Sequence, residues 1–214
     1  MSIEDDPVLS EAGRLPEMGG PPVEVEAKPS TFRNVVEWAV IAGGALLVAF
    51  VIKTFLLQAF YIPSLSMAPT LKINDRVLVN KLSYDLHDVH RGDVVVFESP
   101  PNDGAATKDL IKRVIGLPGE TVEARDGHVL INGQVLNEPW LERGVETRGA
   151  ICQSDTLPGC VGQDKLVVPA DRYFVLGDNR GNSRDSRFIG AISGSLIIGR
   201  AFVRVWPVTA ISLL

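Results

Sequence analysis

Two serines one residue apart, Ser64 and Ser66 in IPSLSMAPTL (Ile62 to Leu71), offer hydroxyls that could attack a carbonyl if a base removed the proton. Histidine is the usual base, but only three are present: His87 and His90 lie in the loop-like YDLHDVHRGD, and His128 sits beside a turn. Each reads as a surface or structural residue, so a serine-histidine-aspartate arrangement has little support. Lysine can substitute when its pKa falls from about 10.4 toward 7 or 8. A shift of roughly three units costs about 4 kcal/mol, which burial among apolar side chains can supply. Lys112 is the best-placed candidate. In DLIKRVIG, strand alternation puts Leu110, Lys112 and Val114 on one face and Ile111 and Arg113 on the other, so one of two adjacent cations must point toward an apolar side. A solvated pair at a sheet edge is the competing reading, and spacing alone leaves both open.

These residues have to be positioned by strands. DRVLVNKL, GDVVVFES, KDLIKRVIG, GHVLINGQVL, KLVVP, YFVLGD and GRAFVRVWP are short, rich in Val, Ile and Phe, and punctuated by Gly, Pro, Asn and Asp. Asn132-Gly133 between HVLI and QVL is a type I′ hairpin signal. Outside the N-terminal region the only helical feature expected is a turn near Gly194 to Ile198. The fold class is therefore mostly β, with antiparallel sheets packed on one another or closed into a barrel-like body. The segment at about 138–165 is long, polar and weakly patterned, and reads as an excursion from the sheets.

Ahead of the strands, residues 1–34 are rich in Pro, Gly and Glu and read as a disordered tail. From Val35 to Ile52 the only charge is Glu37, and 18 residues of helix span about 27 Å, close to the roughly 30 Å of bilayer hydrocarbon. One transmembrane helix over 35–57 is expected, leaving 58–214 as a β-rich domain. The acidic tail before the span and KTFLLQAFYIP after it are unlike a cleavable signal, so the span reads as an anchor. Lys28 and Arg33 before it are matched by Lys53 and Lys72 after it, so charge does not orient it. Ser66 lies 14 residues past Ile52, which caps its distance from the span at roughly 46 Å. Residues FLLQAFYI could contact the lipid bilayer or serve as sheet core.

Composition excludes several classes. A net charge of −5 gives no basic footprint, so nucleic acid is not an expected partner. With two cysteines and no C-x-x-C or H-E-x-x-H pattern, no metal and no cofactor are expected. Cys152 and Cys160 in CQSDTLPGC could close a nine-residue loop worth roughly 2.5 kcal/mol, which would suit an oxidising compartment, or could remain free thiols.

Four blocks in order, IPSLSMAPTL, RGDVVVF, IKRVIGLPGE and GDNRGNSRDSRFIG, resemble the bacterial type I signal peptidases, membrane-bound proteases that remove signal peptides from exported proteins. The resemblance covers roughly Phe55 to Pro207. It implies a signal-peptidase-type catalytic domain of antiparallel sheets on an N-terminal anchor, a Ser66 nucleophile, and a Lys112 general base. Ser64 would complete an oxyanion hole with the Ser66 N–H, and Ser183 would help orient the lysine, unless it is an ordinary turn serine. Asp185 and Arg187 match a supporting ion pair. Phe60, Ile62, Met67, Val96, Leu110 and Ile111 fall where the family lines shallow pockets for small side chains. The implied partners are signal peptides of exported preproteins cut after an A-x-A type site, the bilayer, and protein translocation machinery nearby. The implied location is a bacterial plasma membrane, single-pass, with the tail cytoplasmic and the catalytic domain extracytoplasmic. Leu65 stands where many members have glycine. A catalytically silent β-domain that binds chains, or a self-cleaving repressor-type protease, are the other readings.

Overall fold

The structure, a computed structural model, describes residues 31–101, 107–153 and 157–214. Most of the expected disordered tail, residues 1–30, lies outside the described residues, as do 154–156 of the excursion. The chain divides between Gly44 and Ala45 into two compact units.

Helix α1 runs over Thr31–Val51. Within it, the 19 residues Arg33–Val51 have a mean hydropathy of 1.9 and are unburied, so α1 is long and apolar enough to cross a membrane. One π-helical turn, Ile52–Leu56, follows, and the chain then extends into β1 (Leu57–Tyr61). Helix thus begins four residues before the expected 35–57 and gives way to strand at Leu57. The reason is a partner: β1 pairs antiparallel with β2 (Arg76–Asn80), from Leu57 opposite Asn80 to Tyr61 opposite Arg76.

A short helix α2 (Ser83–Leu86) leads to β3 (Val94–Glu98) and β4 (Asp109–Gly116). Next come β5 (Thr121–Arg125), β6 (His128–Ile131) and β7 (Gln134–Val135). After the excursion the chain forms β8 (Lys165–Val167), β9 (Arg172–Leu176) and helix α3 (Ser186–Ile189). It ends with β10 (Ile192–Ser193), a 3₁₀ turn at Gly194–Leu196, the long β11 (Ile197–Trp206) and β12 (Ser212–Leu213). The seven strand segments expected from the sequence all contain strand. The Asn132-Gly133 turn has positive φ at both residues, 51° and 81°, as a type I′ turn requires.

The strands form two antiparallel sheets. Eight strands lie in the order β1-β2-β11-β3-β4-β9-β10, with β12 beside β11, and four in the order β7-β6-β5-β8. The large sheet is buried on both faces at its centre, which is why VVVF of β3 is apolar throughout instead of alternating. Val94 and Val96 join Ile62, Met67, Leu71 and Ile111 in one cluster, while Val95 and Phe97 join Val114 and Val175 in another. At roughly 1.5–3 kcal/mol per buried large apolar side chain, these two faces hold β3 and β4 firmly in the domain.

The excursion is not a solvated loop. Its Ile151 and Cys152 are fully buried in a third cluster with Ile115, Val122, Leu166 and Phe174. Cys152 and Cys160 are joined by a disulfide.

Candidate active site

The loop Ile62–Asp75 joins β1 to β2 and carries both serines. It is closed at its neck by Ile62 N–H to Asp75 O and Asn74 N–H to Ile62 O, each 3.0 Å, and folded inside by Leu71 N–H to Met67 O at 2.9 Å. Met67 and Leu71 are wholly buried, so the loop is nailed to the core on either side of Pro69. That presents Ser66 at the surface of a packed body, 9% exposed.

Lys112 comes from the other side, on β4 opposite Val95 of β3. Its ammonium nitrogen donates to Ser66 Oγ at 2.9 Å and to the Ile111 carbonyl at 2.8 Å, and the residue is only 3% exposed. Burial pushes its pKa down to about 8, against the opposing pull of the Asp185 and Asp178 carboxylates. The Ser64 hydroxyl, on the exposed side, donates to Ser66 Oγ at 3.3 Å. Among the described residues the Ser66 N–H makes no hydrogen bond.

These groups open into a cleft of about 470 Å³ lined by Pro63, Ser64, Leu65, Ser66, Leu110, Ile111, Lys112 and Arg184, among others. β9 pairs only with the Arg113–Gly116 half of β4, so the Asp109–Lys112 half has a free edge facing outward among the described residues. Of the residues expected to line substrate pockets, Leu110 and Ile111 border the cleft. Ile62, Met67 and Val96 are buried in one cluster with Ile111, and Phe60 packs against that cluster. Leu65 is 44% exposed at the cleft edge.

Ser183 lies beside Gly177. A Cβ at Gly177 would collide with both Ser183 Oγ and the Ser66 carbonyl oxygen, so glycine is what lets the two segments approach. The Ser183 hydroxyl itself is buried with no hydrogen-bond partner, and the Lys112 amine bonds elsewhere. Asp185 and Arg187 form a buried fork, Nε to Oδ1 at 2.8 Å and Nη2 to Oδ2 at 2.9 Å. Asp185 also accepts the Gly177 N–H and caps α3, so the pair fixes the far end of the loop that leaves β9.

Several residues that frame the site were not singled out from sequence. Arg113, the other cation of the pair, is 5% exposed and holds Asp178 bidentately at 2.9 and 2.7 Å, with Thr70 donating to the same carboxylate at 2.6 Å. Asn179 reaches the serine loop twice, its N–H to Ser66 O and its side-chain amide to Leu65 O, both at 3.1 Å. Arg180 is buried against Glu138 and Thr147. The GDNR run that contains Asp178, Asn179 and Arg180 is the signal that could have found them. A larger cavity of about 590 Å³ between the small sheet and the excursion, lined by His128, Glu138, Glu142 and Arg143 among others, contains no nucleophile with a base beside it.

Comparison with known proteins identifies the family. Residues 35–206 match the family model described as signal peptidase, peptidase S26. The chain is 42% identical over 193 residues to signal peptidase I of Leptolyngbya laminosa, covering 88% of each chain. It is also 42% identical over 174 residues to the probable signal peptidase I-2 of a Synechocystis species, covering 79% of this chain and 72% of that one. A crystal structure of a signal peptidase I from Enterococcus faecalis aligns at 39% identity with a TM-score of 0.42, over 53% of this chain and 97% of the other. The chain therefore belongs to the signal peptidase family, peptidase S26, and is a protease with an N-terminal helix of membrane-anchoring length.

Proposed function

We propose that this protein is a signal peptidase I that cuts signal peptides from exported preproteins after small residues, with Ser66 as nucleophile and Lys112 as general base. The observation that carries the proposal is the 2.9 Å approach of the buried Lys112 amine, which bonds no carboxylate, to Ser66 Oγ. With a pKa near 8 the amine is neutral in about a tenth of molecules at pH 7, roughly 300-fold more than at the ordinary lysine value of 10.5.

The neutral amine takes the proton from Ser66 Oγ, and the oxygen attacks the carbonyl carbon before the scissile bond. The resulting oxyanion accepts from the Ser64 hydroxyl and the otherwise unpaired Ser66 N–H, each donor typically worth about 3 kcal/mol in such a hole. Collapse breaks the C–N bond, and the departing amine takes the proton from Lys112. A water deprotonated by Lys112 then hydrolyses the acyl ester, returning Ser66. The free Asp109–Lys112 edge of β4 supports extended binding of the substrate backbone as an added strand. The apolar cluster of Ile62, Met67, Val96 and Ile111, of which Ile111 borders the cleft, supports an apolar floor for small substrate side chains. Ser183 lies beside Gly177, next to the Ser66 carbonyl, with its hydroxyl unpartnered, and Asp185 with Arg187 holds its loop.

In this reading α1 anchors the chain in a bacterial plasma membrane with the tail inside and the β domain outside, next to the bilayer and to translocation machinery delivering preproteins. The Cys152–Cys160 bridge supports that side, since disulfides persist in oxidising compartments. The deciding assay incubates the purified full chain with a precursor carrying an A-x-A site. Wild type is expected to release the mature protein and Ser66→Ala to leave it uncut; equal processing by the two would defeat the proposal.

A further inference from the structure

Asn179 grips the serine loop at two carbonyls that flank one α-carbon. Its side-chain amide holds the carbonyl of Leu65, and its N–H holds the carbonyl of Ser66, both at 3.1 Å. The Leu65 carbonyl and the Ser66 N–H belong to one planar, trans peptide unit and point in opposite directions. A bond that fixes the first therefore aims the second. The Leu65 carbonyl also accepts from the Ala68 N–H at 3.0 Å, so Asn179 shares the hold on the first plane, and its bond to the Ser66 carbonyl is the one that fixes the next peptide plane among the described residues. Because the grip is on main chain, it also leaves the side chain at position 65 free to be leucine.

Asn179 is itself held from behind. Arg180 Nε donates to the Gly177 carbonyl at 3.1 Å, and the Arg180 carbonyl accepts from Arg187 Nη2 at 2.8 Å, which closes Gly177 to Arg180 into a bracket. The bracket is anchored by an acid from the excursion. Glu138 accepts from both terminal nitrogens of Arg180, Nη1 at 3.1 Å and Nη2 beside it, and the Thr147 hydroxyl accepts from Nη1 at 2.5 Å. The Arg180 and Glu138 side chains are 1% and 10% exposed, so this pair is shielded from solvent and has one geometry available to it.

We propose that Glu138 is a positioning residue for proteolysis: through Arg180 it holds Asn179 against the Leu65 and Ser66 carbonyls and so aims the Ser66 N–H at the oxyanion. The inference rests on the reading of Ser66 as nucleophile. It gives the polar excursion a part in the reaction, although no described residue of it lines the cleft. The bracket acts on the transition state, where the oxyanion exists, and not on substrate binding along β4.

The test is a double-mutant cycle on cleavage of the A-x-A precursor, with kcat and KM measured separately below the melting temperature of every variant. Asn179→Ala is expected to lower kcat about thirtyfold and Glu138→Gln about tenfold, since small misplacements of reacting groups carry penalties of this order. KM should stay within about twofold, and the rise of activity with pH should keep its midpoint near 8, because Lys112 is untouched. The double variant should lose no more kcat than Asn179→Ala alone, because both act through one grip. Multiplying losses, or a Glu138→Gln loss that appears in KM, would overturn the inference while leaving the protease reading intact. If Glu138→Gln does not fold, Thr147→Val keeps the ion pair and removes one Arg180 acceptor; it should lower kcat about threefold, again without adding to Asn179→Ala, and additivity there would equally overturn it. Failure of wild type to cut the precursor would defeat the proposed function and this inference with it.

Discussion

Lys112 and Arg113 are neighbours on β4, leave opposite faces of the strand, and are buried to nearly the same extent, 3% and 5% exposed. Their environments resolve the cost of burial in opposite ways. Arg113 keeps its charge, because guanidinium does not lose its proton and Asp178 meets it with both oxygens at 2.9 and 2.7 Å, while its flat face lies 4.9 Å from the centroid of Trp140. Lys112 has no carboxylate in contact, only the Ile111 carbonyl and Ser66 Oγ, so desolvation wins and the amine gives up its proton near pH 8. Burial alone does not make a base. Burial with the counter-ion withheld does, and the strand places both outcomes one residue apart.

The comparison is broken most severely by exchanging the two chemistries. Lys112→Arg retains a cation of similar reach that cannot act as a base, and cleavage should fall about 10³-fold or more. Arg113→Lys keeps a charge beside Asp178 and should retain most of the activity. The pair is read in one experiment, precursor cleavage across pH 6 to 10, where wild-type kcat/KM should rise tenfold per pH unit and level off above about 8. Equal losses for the two substitutions would show that the two faces do not divide the labour as described.

Next in size is the carboxylate under Arg113. Asp178→Asn takes the counter-charge from a buried guanidinium and leaves one amide oxygen where Arg113 and Thr70 shared two carboxylate oxygens, and should cost about 3–5 kcal/mol of unfolding free energy in a denaturant titration. The same change also removes one of the two negative charges that hold the Lys112 pKa up, so any activity that survives should have its pH midpoint moved down. A stable variant with an unmoved profile would mean that Arg113 reaches solvent.

How much of this could be read beforehand depended on distance along the chain. Seven strand segments and the Asn132-Gly133 hairpin announced themselves, because alternation and turn chemistry are local. The dyad needed the resemblance of four blocks, since alternation showed only that one of Lys112 and Arg113 was buried. Both are, because Asp178, 65 positions away, takes the second. β1 was not among the expected strands: its first residue, Leu57, fell at the end of the expected helix, the rest was open between bilayer contact and sheet core, and only the pairing with β2 marks LQAFY as strand. β5 was missed because TVEAR carries two charges in five residues; Glu123 is nonetheless buried between Arg125 and Lys165. Glu138 and Thr147 were hidden in a polar segment with no period, where nothing distinguishes a solvated acid from one that reaches across 42 residues to Arg180. Ser183 was legible as part of a motif, but its hydroxyl lies beside Gly177 without a hydrogen-bond partner.

The smallest effect isolates the energetic difference between the two faces. A lysine whose pKa is about 8 when folded and near 10.5 when unfolded binds its proton more weakly in the native state. Below pH 8 it is charged in both states, and the native state bears the whole desolvation cost, about 3 kcal/mol. Between pH 8 and 10.5 the unfolded state holds more protons, so stability rises with pH, and above 10.5 the cost is gone. Lys112→Met removes the charge, keeps much of the volume, and forfeits two hydrogen bonds worth about 1 kcal/mol each at most, leaving a net gain at pH 7 on the order of 1–2 kcal/mol. Denaturant titrations at pH 7, 9 and 10.5 should show that gain shrinking through zero as pH rises, in a protein that no longer cuts its substrate. Arg113→Met, by contrast, leaves Asp178 buried without its counter-ion and should destabilise at all three values. A Lys112→Met gain that did not depend on pH would mean that its source is packing, and that the amine is not paying for its neutrality.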